Sequence, residues 1–180
     1  MSKRKKAYPL SRVYQLLEPG PVVLVTTAQK QKTNVMTMSW HTMIDFMPPI
    51  LACVISDENF TFDLIKRSKE CVINIPTEQL ADKVVKVGNV SGRKMDKFAK
   101  FNLAHEPATR VAAPLLSECY ANLECKVIDM KMAAKYNLFI LEVVKAWIRP
   151  TKKRPRTIHH QGNGIFAVDG RIIKLPSHKK

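Results

Sequence analysis

No apolar run in this chain of 180 residues approaches the roughly 20 needed to cross a bilayer as a helix. No GxGxxG sequence is present, which excludes the usual dinucleotide fingerprint of a Rossmann domain. The four cysteines (Cys53, Cys71, Cys119, Cys125) form no CxxC pair and sit in strand-like apolar surroundings. Buried free thiols in a reducing compartment are therefore expected, not disulfides or metal ligands. His159 and His160 are adjacent, with no Cys or His at a zinc-ligand spacing, so no metal site is expected. No internal repeat appears, and no low-complexity segment beyond the charged ends.

Negative charge is the other scarcity. Fifteen Asp and Glu face thirty Lys and Arg, for a net charge of +15. Such a field attracts anionic small molecules, acidic proteins and polyanions. Part of it lies at the ends, about residues 1–7 and 176–180, which read as basic, disordered tails of one domain spanning 1–180. A further run, Lys152-Lys153-Arg154-Pro155-Arg156, reads as a proline-stiffened loop. Aromatics are not interleaved with these runs, as a platform for stacking single strands needs. An anionic ligand site is therefore preferred to a nucleic-acid interface. The opening MSKRKK has the charge of a signal-peptide n-region, but no apolar h-region or small-residue cleavage site follows it, and the reading is cytoplasmic.

What is present is ordinary globular material, 46% hydrophobic and 25% charged. Strands are expected over residues 21–27 (PVVLVTT), 34–40, 50–56 (ILACVIS, apolar on both faces), 71–75, 121–127 (alternating) and 137–147. A polar turn is expected over 28–33. Asn59 is expected to cap a helix over 60–68, and Thr77 one over 78–87 with Gly88 just past its end. A hairpin is expected over 164–175 around Asp169-Gly170. Strands outnumber the long helices that parallel crossovers require, so the expected fold is mainly β with short helices, an antiparallel barrel.

The stretch NVMTMSWHTMIDFMPP, residues 34–49, interleaves Asn, Thr, Ser and His with four methionines and a tryptophan. With PGPVVLVTT before it, and PPILACVIS, NFTFDLIKRSKECVINIP and SGRKMDKF following in order, the chain resembles the flavin-reductase-like, FMN-binding split-barrel family of the flavoredoxin type. The resemblance runs from about Pro19 to Phe166. Many members carry arginine where this chain has Gly20. It implies an antiparallel split β-barrel that holds FMN near a homodimer interface, and electrons taken from NAD(P)H or an acidic electron-transfer protein.

An FMN phosphate calls for Lys or Arg with hydroxyl and backbone N–H donors. Ser91 to Lys97 and Ser56 to Thr61, with Asn59 between, are the segments that supply them. By the resemblance, Lys97 and Thr61 are the phosphate candidates and Arg93 an open second choice. Met36, Met38 and Trp40 suit the ring, and backbone N–H groups from Met36 through Thr37 to Ser39 suit its pyrimidine edge. Asn34, Tyr136 and Phe166 complete the implied set. Trp40 and the methionines also read as plain core residues. His41, His159 and His160 are the candidates for moving a proton. An electron carrier without NAD(P)H turnover and a basic nucleic-acid-binding barrel are the alternatives to a reductase.

Overall fold

The computed structural model describes residues 20–151 and 155–172. The basic ends, the core of the 152–156 run and residues 173–175 of the expected hairpin lie outside them. β1 (Val23–Gln29), β2 (Lys32–Met38), β3 (His41–Phe46), β4 (Pro49–Val54), β5 (Glu70–Ile75), β8 (Ala121–Asp129) and β9 (Leu138–Ile148) form one antiparallel sheet in the order β2-β1-β5-β8-β9-β4-β3. Its two edges, β2 and β3, are consecutive in the chain and separated only by Ser39 and Trp40. A sheet whose edges are joined by two residues must curl until those edges nearly meet. The result is a barrel that is split between β2 and β3, as the resemblance implies.

Two apolar layers follow from the alternation of side chains along each strand. Val23 and Val25 point inward with Met36, Met38, Cys53, Phe139 and Leu141. Val22, Leu24 and Val35 point outward, against Val84, Val87 and Phe98. These last come from α2 (Ala81–Gly88) and α3 (Lys97–Lys100), which cover the outside of β1 and β2. Helix α1 (Phe60–Ser68) buries Thr61, Phe62, Leu64 and Ile65, and Phe62 meets Phe139 edge-on at 5.3 Å. All four cysteines are buried free thiols. Burial pushes those of Cys53 and Cys119 up to about 12, so they behave as small apolar groups. No helix among the described residues is long and apolar enough to cross a membrane.

Buried polar residues hold the long segment between α3 and β8 against the sheet. Asn74 accepts from Leu116 N at 2.9 Å and from Asn122 Nδ2 at 2.7 Å, and donates to Leu24 O. Thr26 Oγ1 donates to Pro114 O at 2.6 Å. The fully buried Glu124 carboxylate accepts from Thr109 N, Arg110 N, Thr109 Oγ1 and Trp147 Nε1. Desolvation alone raises its pKa, but these donors together outweigh it and hold the carboxyl below its usual value.

Several boundaries differ from expectation. The 28–33 turn shrinks to Lys30 and Gln31, because Lys30 adopts φ 54° and lets Gln29 pair with Lys32. β3 was not expected. All its residues but His41 are exposed, so no inward and outward pattern marks it. Asn59 and Thr77 make no side-chain capping bond. The expected 78–87 helix begins as a 3-10 turn over Glu78–Leu80, and Gly88 is its last helical residue. The late hairpin pairs β10 (Ile158–His160) with β11 (Phe166–Val168). Its turn lies at Gly162-Asn163-Gly164, where three successive residues take positive φ, and Asp169-Gly170 follows the second strand. β6 (His105–Glu106), β7 (Leu115–Leu116) and α4 (Ala133–Tyr136) complete the described elements.

Candidate functional site

Two cavities adjoin along β2 and share Gly88 and Asn89 in their walls. The first, of about 240 Å³, takes Asn34 and Met36 from β2, Asn59 and Thr61 from the start of α1, Ser91 and Gly92 from the loop after α2, and Lys97 from α3. α3 is short but firmly started, because Asp96 Oδ1 accepts from Phe98 N at 2.8 Å and Ala99 N at 3.2 Å. That cap fixes where Lys97 leaves the backbone. Its side chain is 5% exposed and its Nζ donates to Val87 O at 3.0 Å. No carboxylate among the described residues pairs with it. Burial therefore pushes its pKa down from 10.5 to about 8.

Asn34 sits opposite, 3% exposed. Its Nδ2 donates to Thr61 Oγ1 at 2.8 Å, while its Oδ1 has no partner. Thr27, its cross-strand neighbour on β1, likewise leaves Oγ1 without one. A buried polar atom left unpaired costs about 1–3 kcal/mol. Asn34 and Thr27 are partners in the β1–β2 register, and Asn34 shares the cavity wall with Lys97. Gly92 closes over them: a Cβ on it would lie 2.0 Å from Asn34 Oδ1. Only glycine lets the loop come this near.

The second cavity, of about 300 Å³, is more apolar. Thr37 and Met38 line it from β2, Ser39 from just past the strand, Val84 and Val85 from α2, and His160 and Phe166 from the late hairpin. The His160 and Phe166 rings are 5.1 Å apart. Thr37 Oγ1 donates to Val84 O at 2.6 Å and so clamps α2 onto β2. At Gly88, unlike Gly92, a Cβ would meet the Thr37 side chain at 3.4 Å, close to ordinary contact. β2 is an edge strand, so half of its backbone groups face the split in place of a neighbour.

Of the residues singled out from the sequence, Asn34, Met36, Asn59, Thr61, Ser91 and Lys97 meet in the first cavity, and Thr37, Met38, Ser39, His160 and Phe166 in the second. Trp40 and Tyr136, each about half exposed, line neither. Ser56 also lies outside both, its hydroxyl accepting from Glu58 N. His41 Nε2 bonds to Pro21 O at 2.7 Å, and His159 is held by Asp169 at 3.1 Å with Thr157 beside them. Arg93 lines neither cavity and pairs with Asp63 at 2.7 Å. Sequence reasoning missed Gly88, Asn89, Phe60 and the valines of α2. Gly88 was read only as a helix stop; the helix does end there, and the residue also lines both cavities.

The family model described as "Flavin reductase like domain" matches residues 16–164. An uncharacterised protein of Archaeoglobus fulgidus is 36% identical over 114 residues, covering 63% of this chain and 64% of that protein, so the match spans just under two thirds of that relative. One of Escherichia coli, also uncharacterised, is 31% identical over 179 residues, covering 91% of this chain and 94% of that protein. Among solved structures, the FMN-binding domain of a flavin reductases-like enzyme from Shewanella baltica superposes with a TM-score of 0.82 at 28% identity, covering 95% of this chain and 97% of that one.

Proposed function

This chain belongs to the flavin reductase like family, and from that premise we propose that it is an FMN-dependent oxidoreductase whose flavin lies along β2. The carrying observation is one cavity walled by both the buried Lys97 and Asn34, whose carboxamide oxygen is unpaired. A phosphate dianion neutralises the first, and the ribityl hydroxyls satisfy the second. Bound FMN supplies the hydride and single-electron chemistry, while the protein binds, orients and tunes it.

In this reading Lys97, Thr61 and Ser91 hold the phosphate, with Asn59 at the start of α1 beside them. The valines of α2, Met38 and Phe166 give the ring an apolar bed. Free backbone groups on the split edge of β2 meet its pyrimidine side and favour negative charge there. His160 stands at the ring end, where it can hold a proton. Electrons come from NAD(P)H or from an acidic redox protein, either of which the net charge of +15 attracts.

The working form is a homodimer. β3 and its turn expose Trp40, Met43, Ile44, Phe46 and Met47, with Phe46 at 84% and Met47 at 86%. An apolar edge strand of this kind calls for a partner, and a second copy of the chain places that contact next to Ser39 at the ring end. Anaerobic mixing of the flavin-loaded protein with NADH, NADPH and reduced ferredoxin in parallel tests the enzymatic claim. Rapid bleaching by a nicotinamide nucleotide is expected of a reductase. Bleaching by ferredoxin alone makes the protein an electron carrier. No bleaching by any donor contradicts the proposal.

A further inference from the structure

A third cavity, of about 490 Å³, opens beside the Lys97 cavity and shares Phe60 and Gly92 with it. It has no residue in common with the ring cavity. Gln31 in the β1–β2 turn and Lys32 and Thr33 at the start of β2 form one wall. Arg93, Met95 and Asp96, in the loop before α3, form another.

The charges around this chamber do not cancel. The carboxylate in its wall, Asp96, is turned to the first N–H groups of α3, and Arg93 is paired with Asp63 at 2.7 Å. Glu58, the carboxylate in the wall of the Lys97 cavity, is not in the wall of this one. Lys32 is exposed and has no carboxylate partner among the described residues. Lys30 and Lys94, next in sequence to lining residues, are exposed and unpaired in the same sense. Thr33 and Gln31 add a hydroxyl and an amide for hydrogen bonding.

Lys97 is buried, so it cannot meet a ligand that is still in solvent. An exposed cation one cavity away can. We propose that the outer chamber is the landing site for the phosphate dianion of incoming FMN, with Lys32 the first cation it meets and Lys97 the last. The inference rests on the flavin site proposed above. Gly92 puts no side chain at the boundary where the phosphate passes from one space to the other. Lys32 lies outside the Lys97 cavity, so it speeds association without adding a contact to the bound state. Riboflavin has the same ring but no phosphate, and it gains nothing from the chamber.

The test is stopped-flow association and dissociation of FMN and riboflavin with the flavin-free protein, at low and at high salt. Wild type is compared with Lys32→Glu and with Lys145→Glu, which makes the same change of charge on β9 at a residue lining none of the three cavities. At low salt Lys32→Glu is expected to slow FMN association by about tenfold while changing dissociation by less than about threefold. High salt is expected to remove most of that difference. Lys145→Glu is expected to slow FMN by less than about threefold, and riboflavin to be indifferent to both variants. Equal slowing by Lys145→Glu overturns the inference, because net charge alone then guides the ligand. So does an unchanged FMN association rate in Lys32→Glu, or an effect carried by dissociation, which makes Lys32 part of the final site. Riboflavin slowed as much as FMN overturns it too, since the variant then alters shape and not steering. If wild type binds riboflavin and FMN not at all, the flavin site itself fails and takes this inference with it.

Discussion

Asn34 Oδ1 lies 2.0 Å from the point where a Cβ on Gly92 would stand, and Asn34 is held there by its 2.8 Å bond to Thr61. Three segments far apart in sequence thus meet at one carboxamide. Gly92→Ala must displace Asn34 or lift the loop. It is expected to weaken FMN binding by about tenfold or more, at a cost in stability of about 1–3 kcal/mol from overpacking. Flavin titration beside urea denaturation separates the two effects.

Lys97 gives a pH signature. Its pKa in the flavin-free fold is about 8, against an ordinary 10.5, so between these values the unfolded chain binds more protons than the folded one. The stability of the flavin-free protein therefore rises as pH increases from about 8 towards 10.5, and Lys97→Met abolishes that rise. FMN affinity runs the other way. It is highest below about 8, where Lys97 is charged, and falls above it as binding comes to require proton uptake. Lys97→Met is expected to cost on the order of 2 kcal/mol in affinity, or about 30-fold. Denaturation and flavin titration across the alkaline range check both slopes.

Glu124 provides a contrast away from the site. Its carboxyl is held below the usual range by Trp147, Arg110 and Thr109, so its stabilisation is present above the ordinary carboxylate pKa and is lost as pH falls through the depressed one. Glu124→Gln keeps the shape but turns an acceptor into a donor opposite N–H groups. A loss of about 1–3 kcal/mol is expected, with FMN affinity unchanged. Acid titration of the melting temperature, and the flatter profile of the variant, read this out.

The exposed turn after β3 predicts the oligomeric state. Phe46→Glu with Met47→Lys places charge on the two most exposed large apolar side chains among those described. Light scattering is expected to report a dimer for the wild type and a monomer for the double variant, with FMN bound more weakly by the monomer. An unchanged dimer places the interface elsewhere.

Much of this fold was legible because burial leaves a pattern. The strands at Val23–Gln29, Pro49–Val54 and Leu138–Ile148 and helix α1 at Phe60–Ser68 all announce themselves by apolar spacing. β3 left none, since a strand exposed on both faces has no alternation to read. The late hairpin was displaced because two glycine-bearing turns compete there, and only the chain's return path decides between them. The cavity residues were legible as a set through the resemblance, but the place of Met36 in the Lys97 cavity and of Trp40 outside both cavities was not. The cavity walls depend on α2 and α3 closing over β2 and on Gly92, whose lack of a side chain matters only in three dimensions. Arg93 was an open second choice beside Lys97 in SGRKMDK. Asp63, one helical turn into α1, pairs with it at 2.7 Å, and it does not line the Lys97 cavity.

The most direct measurement is a comparison of FMN and riboflavin binding to the flavin-free wild-type protein at neutral pH. The two ligands differ only in the phosphate that Lys97 is proposed to hold. One FMN per chain is expected, with riboflavin weaker by about tenfold or more. Equal affinity for the two, or no uptake of FMN, would contradict a flavin site along β2 anchored by Lys97.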